Sequence, residues 1–121
     1  MPLTMYGIRN CDTVKKARDW LAAHAIDFAF HDYKTAGIDA GTLAAWCTER
    51  GWETVLNRAG TTFRALSDPE KRQLDAPRAM ALMLAQPSMI KRPVLEGPGI
   101  LLIGFTPAHY QSAFAGLGAP T

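Results

Sequence analysis

Cysteine is scarce in this chain, and the two present, Cys11 and Cys47, lie in unlike surroundings and do not form the framework of a disulfide-held secreted domain. The three histidines, His24, His31 and His109, are scattered, so no zinc-ligand cluster is present and no metal is expected. Long apolar runs are missing too. No stretch approaches the length of a bilayer span, and the N-terminus lacks the basic start and long apolar core of a signal peptide. A cytoplasmic location is therefore expected, with no membrane association. Charge of one sign is also wanting: the formal net charge is +2, and the lysines and arginines are spread rather than clustered along one face. Direct nucleic-acid binding is not expected from such a pattern. Acidic and basic side chains alternate through Asp68-Pro69-Glu70-Lys71-Arg72-Gln73, which reads as a solvated helix face. There is no internal repeat and no low-complexity stretch, and the Gly/Ala/Pro-rich end, residues 116–121, reads as a frayed tail.

What remains is a 121-residue chain of ordinary composition. It is long enough for one domain that buries about two thirds of its unfolded surface without disulfides. Its most informative residue is Cys11, which falls where a strand hands over to a helix. Leu3 to Tyr6 are apolar or β-prone, Gly7 and Asn10 are turn formers, and from Asp12 onward Val14, Ala17 and Leu21 recur at helical spacing. The first turn of a helix carries unpaired N–H groups and a partial positive charge, both of which favour thiolate over thiol. Lys15 stands four residues on, on the same helix face, and Arg9 and Lys16 add positive potential. Cys11 is thus read as a nucleophile held as an anion by Arg9, Lys15 and Lys16. The Asn10 amide, directly before it, either donates to the sulfur or an oxyanion or serves only to form the turn. Cys47, within Leu43-Ala44-Ala45-Trp46-Cys47, reads as an apolar filler of a helix.

Along the rest of the chain, Asp27 to Tyr33 alternates as a second strand, parallel to the first across the intervening helix. Asp39 caps a helix over Ala40 to Arg50 that Gly51 ends. No strand is expected between about Trp52 and Pro87. Instead there is a helical turn at Glu53–Leu56, a capped start at Ser67-Asp68-Pro69-Glu70, and a helix opened by Ala76-Pro77. Arg92 to Glu96 and Ile100 to Phe105 form a hairpin about Gly97-Pro98-Gly99, and Thr106-Pro107 caps a last helix, Ala108 to Ala115. Trp20, Trp46, Trp52, Phe28, Phe30, Met80, Leu82 and Met83 are assigned to packing. The order β, α, β, several helices, β, β, α is that of a single α/β domain of thioredoxin-like layout: a mixed sheet flanked by helices, with an all-helical insert at about 39–88 between the second and third strands.

Four ordered segments make the reading more specific. Tyr6-Gly7-Ile8-Arg9-Asn10-Cys11-Asp12-Thr13-Val14-Lys15-Lys16-Ala17, Leu56 to Arg64, Met89-Ile90-Lys91-Arg92-Pro93-Val94-Leu95 and Ile103-Gly104-Phe105 together resemble the arsenate reductase-like (ArsC) family, in its Spx/YffB-type branch. The resemblance runs over nearly the whole chain. It implies a thioredoxin-like fold, a catalytic cysteine at Cys11, a catalytic arginine at Arg92 that supports an anion beside it, and a cis peptide before Pro93. An X–Pro bond takes the cis form at a cost of only about 0.5–1 kcal/mol, and that form would present the Arg92 backbone to an extended peptide-like ligand. Glutathione is such a ligand. It is expected as a co-substrate rather than a bound cofactor, with Asn10, Lys15, Pro93 and Arg9 as substrate-binding residues.

The departures are equally specific. Arsenate reductases of the family gather three arginines about the oxyanion, because its charge needs several fixed donors. Here Asn57 stands at the first of those positions and Gly104 at the third. Arg58 and Arg64 are the nearby alternatives, yet a one-residue shift turns a helical side chain by about 100°. Spx-type regulators and dithiol reductases carry a second cysteine three residues after the first, where this chain has Val14. An intramolecular CxxC switch is thereby excluded, and a mixed disulfide on Cys11 has to be resolved by an external thiol such as glutathione, or by Cys47 after a rearrangement that the sequence gives no reason to expect. The expected activity is a glutathione-dependent monothiol oxidoreductase acting, as a monomer, with glutathione or a small thiol and on disulfide or glutathionylated substrates, protein disulfides among them. An Spx-like regulator that binds RNA polymerase and an arsenate reductase are the alternatives.

Overall fold

The first strand, β1 (Thr4–Gly7), turns one face inward through Met5 and Gly7 and the other outward through Thr4 and Tyr6, as period-two alternation dictates. In this computed structural model, which describes residues 3–9 and 11–116, it is followed by helix α1 (Asp12–Ala23) and strand β2 (Ala29–Asp32). The turn residue Asn10 and the expected tail from residue 117 on lie outside the described residues. Val14, Ala17 and Leu21 of α1 are buried at the spacing that puts them on one stripe. The helix ends in a Schellman arrangement, with Ile26 N–H donating to the Leu21 carbonyl at 2.9 Å, Ala25 N–H donating to that of Ala22 at 3.1 Å, and Ala25 at φ 55°.

The chain forms two compact units, one taking in the chain up to Asp32 and from Arg92 onward, the other running from Tyr33 to Lys91. In the first, strands β3 (Val94–Gly97) and β4 (Ile100–Ile103) complete a four-stranded sheet of order β2-β1-β3-β4. The pair β1/β2 is parallel, while β1/β3 and β3/β4 are antiparallel. The β3–β4 turn is Pro98-Gly99. Proline fixes the first φ and glycine supplies the second at +75°, the signature of a type II turn. Met5, Leu95 and Leu102 are register partners across three strands, and all three are buried. They share a core with Val14, Ala17 and Leu21 of α1 and with Tyr110 and Phe114 of the last helix, α8 (Pro107–Gly116). Trp20, Phe28 and Phe30 pack against that core while staying partly exposed.

The second unit holds six α-helices: α2 (Tyr33–Ala36), α3 (Ala40–Arg50), α4 (Trp52–Val55), α5 (Thr61–Arg64), α6 (Asp68–Arg72) and α7 (Ala76–Ala85), followed by a 3-10 turn at Pro87–Met89. Their starts follow from side-chain capping. Asp39 accepts from Thr42 N–H at 3.0 Å, Ser67 and Glu70 form a reciprocal capping box, and Asp75 accepts from Arg78 N–H at 2.9 Å. Trp46, Leu43, Val55, Met83 and Ile90 are buried here. The second strand stops one residue short of the stretch the sequence predicts. Tyr33 leaves it to open α2, where its ring is fully buried and its hydroxyl donates to the Ile90 carbonyl at 3.0 Å, a better place for a tyrosine than the solvated end of an edge strand.

One polar atom in the first unit is buried without compensation. The Tyr110 hydroxyl has no hydrogen-bond partner among the described residues, and burial pushes its pKa up. An unsatisfied buried hydroxyl costs about 1–3 kcal/mol, whereas the ring itself packs well. Tyr110→Phe is therefore expected to raise stability by about 1 kcal/mol or more, read as a higher urea midpoint with unchanged slope. A midpoint at or below that of the unaltered protein refutes this account.

Candidate active site

Antiparallel pairing of Tyr6 with Val94 sets the geometry of the site. The chain leaves β1 at Gly7 and enters β3 at Val94, so the loop ending in Cys11 and the Arg92-Pro93 pair emerge at the same end of the sheet. Gly7 is the close-approach residue of that end, since a Cβ there would stand 2.9 Å from Val14 Cγ2 and force α1 away from the strand. The Arg92–Pro93 peptide bond is cis, and the Pro93 carbonyl accepts from Gly104 N–H at 2.8 Å, which ties the Arg92 loop to the residue after β4. Gly104 adopts φ 78° there.

Cys11 is the N-cap residue of α1, in extended conformation, and its carbonyl accepts from Lys15 N–H at 3.0 Å. The Cys11 side chain makes no conventional N-cap hydrogen bond; its sulfur instead lies where the first-turn N–H groups of Val14 and Thr13 act on its anionic form. Partial burial of the sulfur opposes ionisation. It is outweighed by the Val14 N–H, the Arg92 guanidinium acting through both a hydrogen bond and its charge, and the Thr13 N–H, so the Cys11 pKa is lowered. Cys47 shows the contrast. It is half-buried in α3, and desolvation raises its pKa. Both cysteines are free. Only Cys11 has the electropositive, partly exposed setting of a reactive thiol.

The cations that surround Cys11 in the sequence are arranged differently from the expectation. The donors acting on the sulfur are Val14 N–H, Arg92 and Thr13 N–H; Arg9, Lys15 and Lys16 are not among them. Arg9 is exposed and faces Asp32 at 3.9 Å, a surface pair of little energetic weight. Arg9, Lys15 and Arg18 line a groove of about 420 Å³ together with Asp19, Ala22 and Phe28. Lys15, Arg18, Asp19 and Ala22 recur at helical spacing along one face of α1, whereas the sulfur is served by first-turn N–H groups and by Arg92. Sequence reasoning missed the specific roles of Thr13 and Val14, whose contribution comes from the backbone and leaves no side-chain signature.

Residues 6–113 match the model of the ArsC family. The chain belongs to the ArsC family. A protein of Haemophilus influenzae is 44% identical over 113 residues, covering 93% of this chain and 99% of that one. The solved structure of the YffB protein is 58% identical, with a TM-score of 0.87 over 92% of this chain and 97% of that one. The global transcriptional regulator Spx of Streptococcus pyogenes is 28% identical over 105 residues, 85% of this chain and 78% of the regulator. The mixed four-stranded sheet with its helices is the thioredoxin-like fold of these ArsC relatives.

Within this ArsC-family chain, the positions that depart from the arginine-rich pattern have local structural roles. The Asn57 side chain accepts from Ala59 N–H at 3.2 Å, forming a turn. The Arg58 guanidinium lies 5.4 Å from the centre of the Trp52 ring, a cation–π contact inside its own unit. Val14, standing where a second cysteine would complete a CxxC pair, is fully buried in the core. Its side chain packs the fold while its N–H serves the sulfur. Among the described residues no group of three or more His, Cys, Asp or Glu is placed to hold a metal ion, and no helix is long and apolar enough to cross a membrane.

Two measurements check this electrostatics. Replacing Arg92 by alanine removes both a hydrogen bond and a charge, so the pH profile of Cys11 alkylation by iodoacetamide is expected to move to higher pH, with a several-fold slower reaction at pH 7; an unmoved profile rejects the assignment. Stability supplies the second. Because the folded-state pKa of Cys11 is lowered, its stabilising contribution is present above the unfolded value and is lost as pH falls through the folded value. The unfolding free energy of the protein relative to Cys11→Ser is thus expected to rise with pH across that window. The contribution of Cys47 has the opposite sign and cancels in the comparison. A flat difference contradicts a thiolate held by the fold.

Proposed function

We propose that the protein is a glutathione-dependent monothiol oxidoreductase of the cytoplasm, with Cys11 as nucleophile and Arg92 as the group that steadies its anion. The convergence of two backbone N–H groups and one guanidinium on a single sulfur carries this reading, because it favours the form of cysteine that attacks disulfides. The Cys11 thiolate attacks the glutathionyl sulfur of a mixed disulfide. A Cys11–glutathione disulfide forms as the substrate's S–S bond breaks, and the released substrate sulfur takes a proton from water. The thiolate of a second glutathione then attacks the glutathionyl sulfur, oxidised glutathione leaves, and Cys11 returns as thiolate. The substrate sulfur is reduced and the second glutathione oxidised, so the exchange balances. An external thiol is required because Val14 occupies the place of a resolving cysteine.

Glutathione carries two carboxylates and one amine. The groove of Arg9, Lys15 and Arg18 on α1 offers cations to those carboxylates, and Arg92 with Pro93 completes the site at the sulfur. Asn10, directly before the nucleophile, belongs to the proposed binding set by its place in the chain. A single guanidinium at the sulfur argues against arsenate reduction, which calls for several fixed donors about a tetrahedral oxyanion.

The test is glutathione-dependent reduction of 2-hydroxyethyl disulfide. The protein is expected to show saturable turnover that Cys11→Ser abolishes. Arg92→Ala should lower kcat/KM by roughly 10- to 100-fold, the range for one charge-assisted hydrogen bond to a reacting atom. Turnover that survives Cys11→Ser ends the proposal. If millimolar glutathione produces neither turnover nor amide shifts near Cys11 while the protein binds purified RNA polymerase, the regulator reading replaces it.

A further inference from the structure

On the first unit a second groove, of about 600 Å³, is lined by Thr13, Lys16, Asp19, Trp20, Phe105 and Thr106. Two of its walls belong to segments that also serve the sulfur. Thr13, whose N–H acts on Cys11, forms one wall, and Phe105 and Thr106 directly follow Gly104, which is bonded to the Pro93 carbonyl. Its chemistry differs from that of the Arg9/Lys15/Arg18 groove, which shares only Asp19 with it.

The aromatic walls are fixed in advance. Tyr110 meets Phe105 edge-on at 4.7 Å and Trp20 edge-on at 5.4 Å, and Trp20 stacks on Phe114 at 5.7 Å and on His24 at 3.8 Å. Rings held by such neighbours are ordered before a ligand arrives, and the partly exposed surface of Trp20 and Phe105 is offered at little entropic cost. Lys16 and Asp19, three residues apart on α1, put one charge of each sign on the rim. Glutathione has no apolar side chain to lay against two aromatic rings, so its own binding leaves this groove unexplained.

We propose that the aromatic groove receives the polypeptide half of a glutathionylated protein, an apolar side chain next to the modified cysteine lying against Trp20 and Phe105 while Lys16 and Asp19 read charged neighbours. This rests on the glutathione-dependent reading above and names its substrate class. The two grooves on α1 then hold a mixed disulfide in one direction, glutathione on the cationic flank and polypeptide on the aromatic flank. Cys11 thus meets the glutathionyl sulfur, and the polypeptide is the group that leaves as a thiol.

The experiment compares two glutathionylated peptides that differ only in Phe or Ser beside the cysteine. The protein is expected to prefer the Phe peptide by about tenfold in kcat/KM, the scale of one buried apolar side chain. Phe105→Ala should bring the ratio close to one. In a second variant with an altered rim charge, Lys16→Glu, preference should shift from acidic to basic neighbours in peptides of otherwise equal sequence. Equal turnover of the two peptides by the unaltered protein, or a ratio untouched by Phe105→Ala, overturns the assignment. If neither peptide is turned over, the thiol-exchange reading fails, and the groove is judged alone by titrating the unmodified Phe peptide, with Ser in place of Cys. Shifts of the Trp20 indole and Phe105 amide uphold it, and their absence at millimolar peptide rejects it.

Discussion

Three donors converge on one sulfur, and most of what this fold does can be traced to holding them there. The Val14 and Thr13 N–H groups are fixed by the start of a helix, and the Arg92 guanidinium by a loop from the far end of the chain. Both act against the partial burial of the sulfur, which opposes ionisation and is the largest single influence on it. The site is therefore a small electrostatic balance in which backbone geometry and one side chain outweigh desolvation. It depends on the distance between two segments that are separated by most of the sequence.

The sheet fixes that distance. Met5, Leu95 and Leu102 lie in register across three strands, and the stripe of α1 and the aromatic face of α8 close over them. With β1 antiparallel to β3, the exit of one strand and the approach to the other share an edge, so packing in the core is also placement at the sulfur. The Pro93 carbonyl bonded to Gly104 N–H extends this to the loop behind β4. About two thirds of the surface of a chain this size is removed from water on folding, which supplies the packing that holds these segments in place.

Much of this was legible in the residues. The order of strands and main helices, the capped starts at Asp39 and Ser67, the start at Ala76-Pro77 and the N-cap placement of Cys11 follow from local chemistry that operates over a few positions and is legible within a residue or so. What local chemistry cannot encode is direction. Arg9 and Lys15 stand beside Cys11 in the chain yet turn to a separate groove, whereas Arg92 was brought to the sulfur only through family resemblance. Trp20 was assigned to packing, and it does pack. That it also lines a groove depends on Phe105 and Thr106, whose proximity only the tertiary fold supplies. Tyr33 illustrates the same limit from the other side, since alternation extended the strand through it and a distant carbonyl drew it away.

The absence of a conventional side-chain cap on α1 has an energetic corollary. Where Cys11 is ionised, its negative sulfur faces the amides at the helix tip; in a disulfide that charge is gone, and the amides and guanidinium face a neutral atom. Whatever the fold gains from the anion it would forfeit in a disulfide-bonded adduct, so such an adduct would be biased toward reduction, the same linkage that turns a stabilised thiolate into a good leaving group. In the thiol-exchange cycle proposed for Cys11, the helix terminus would act twice, arming the attack and then hastening release.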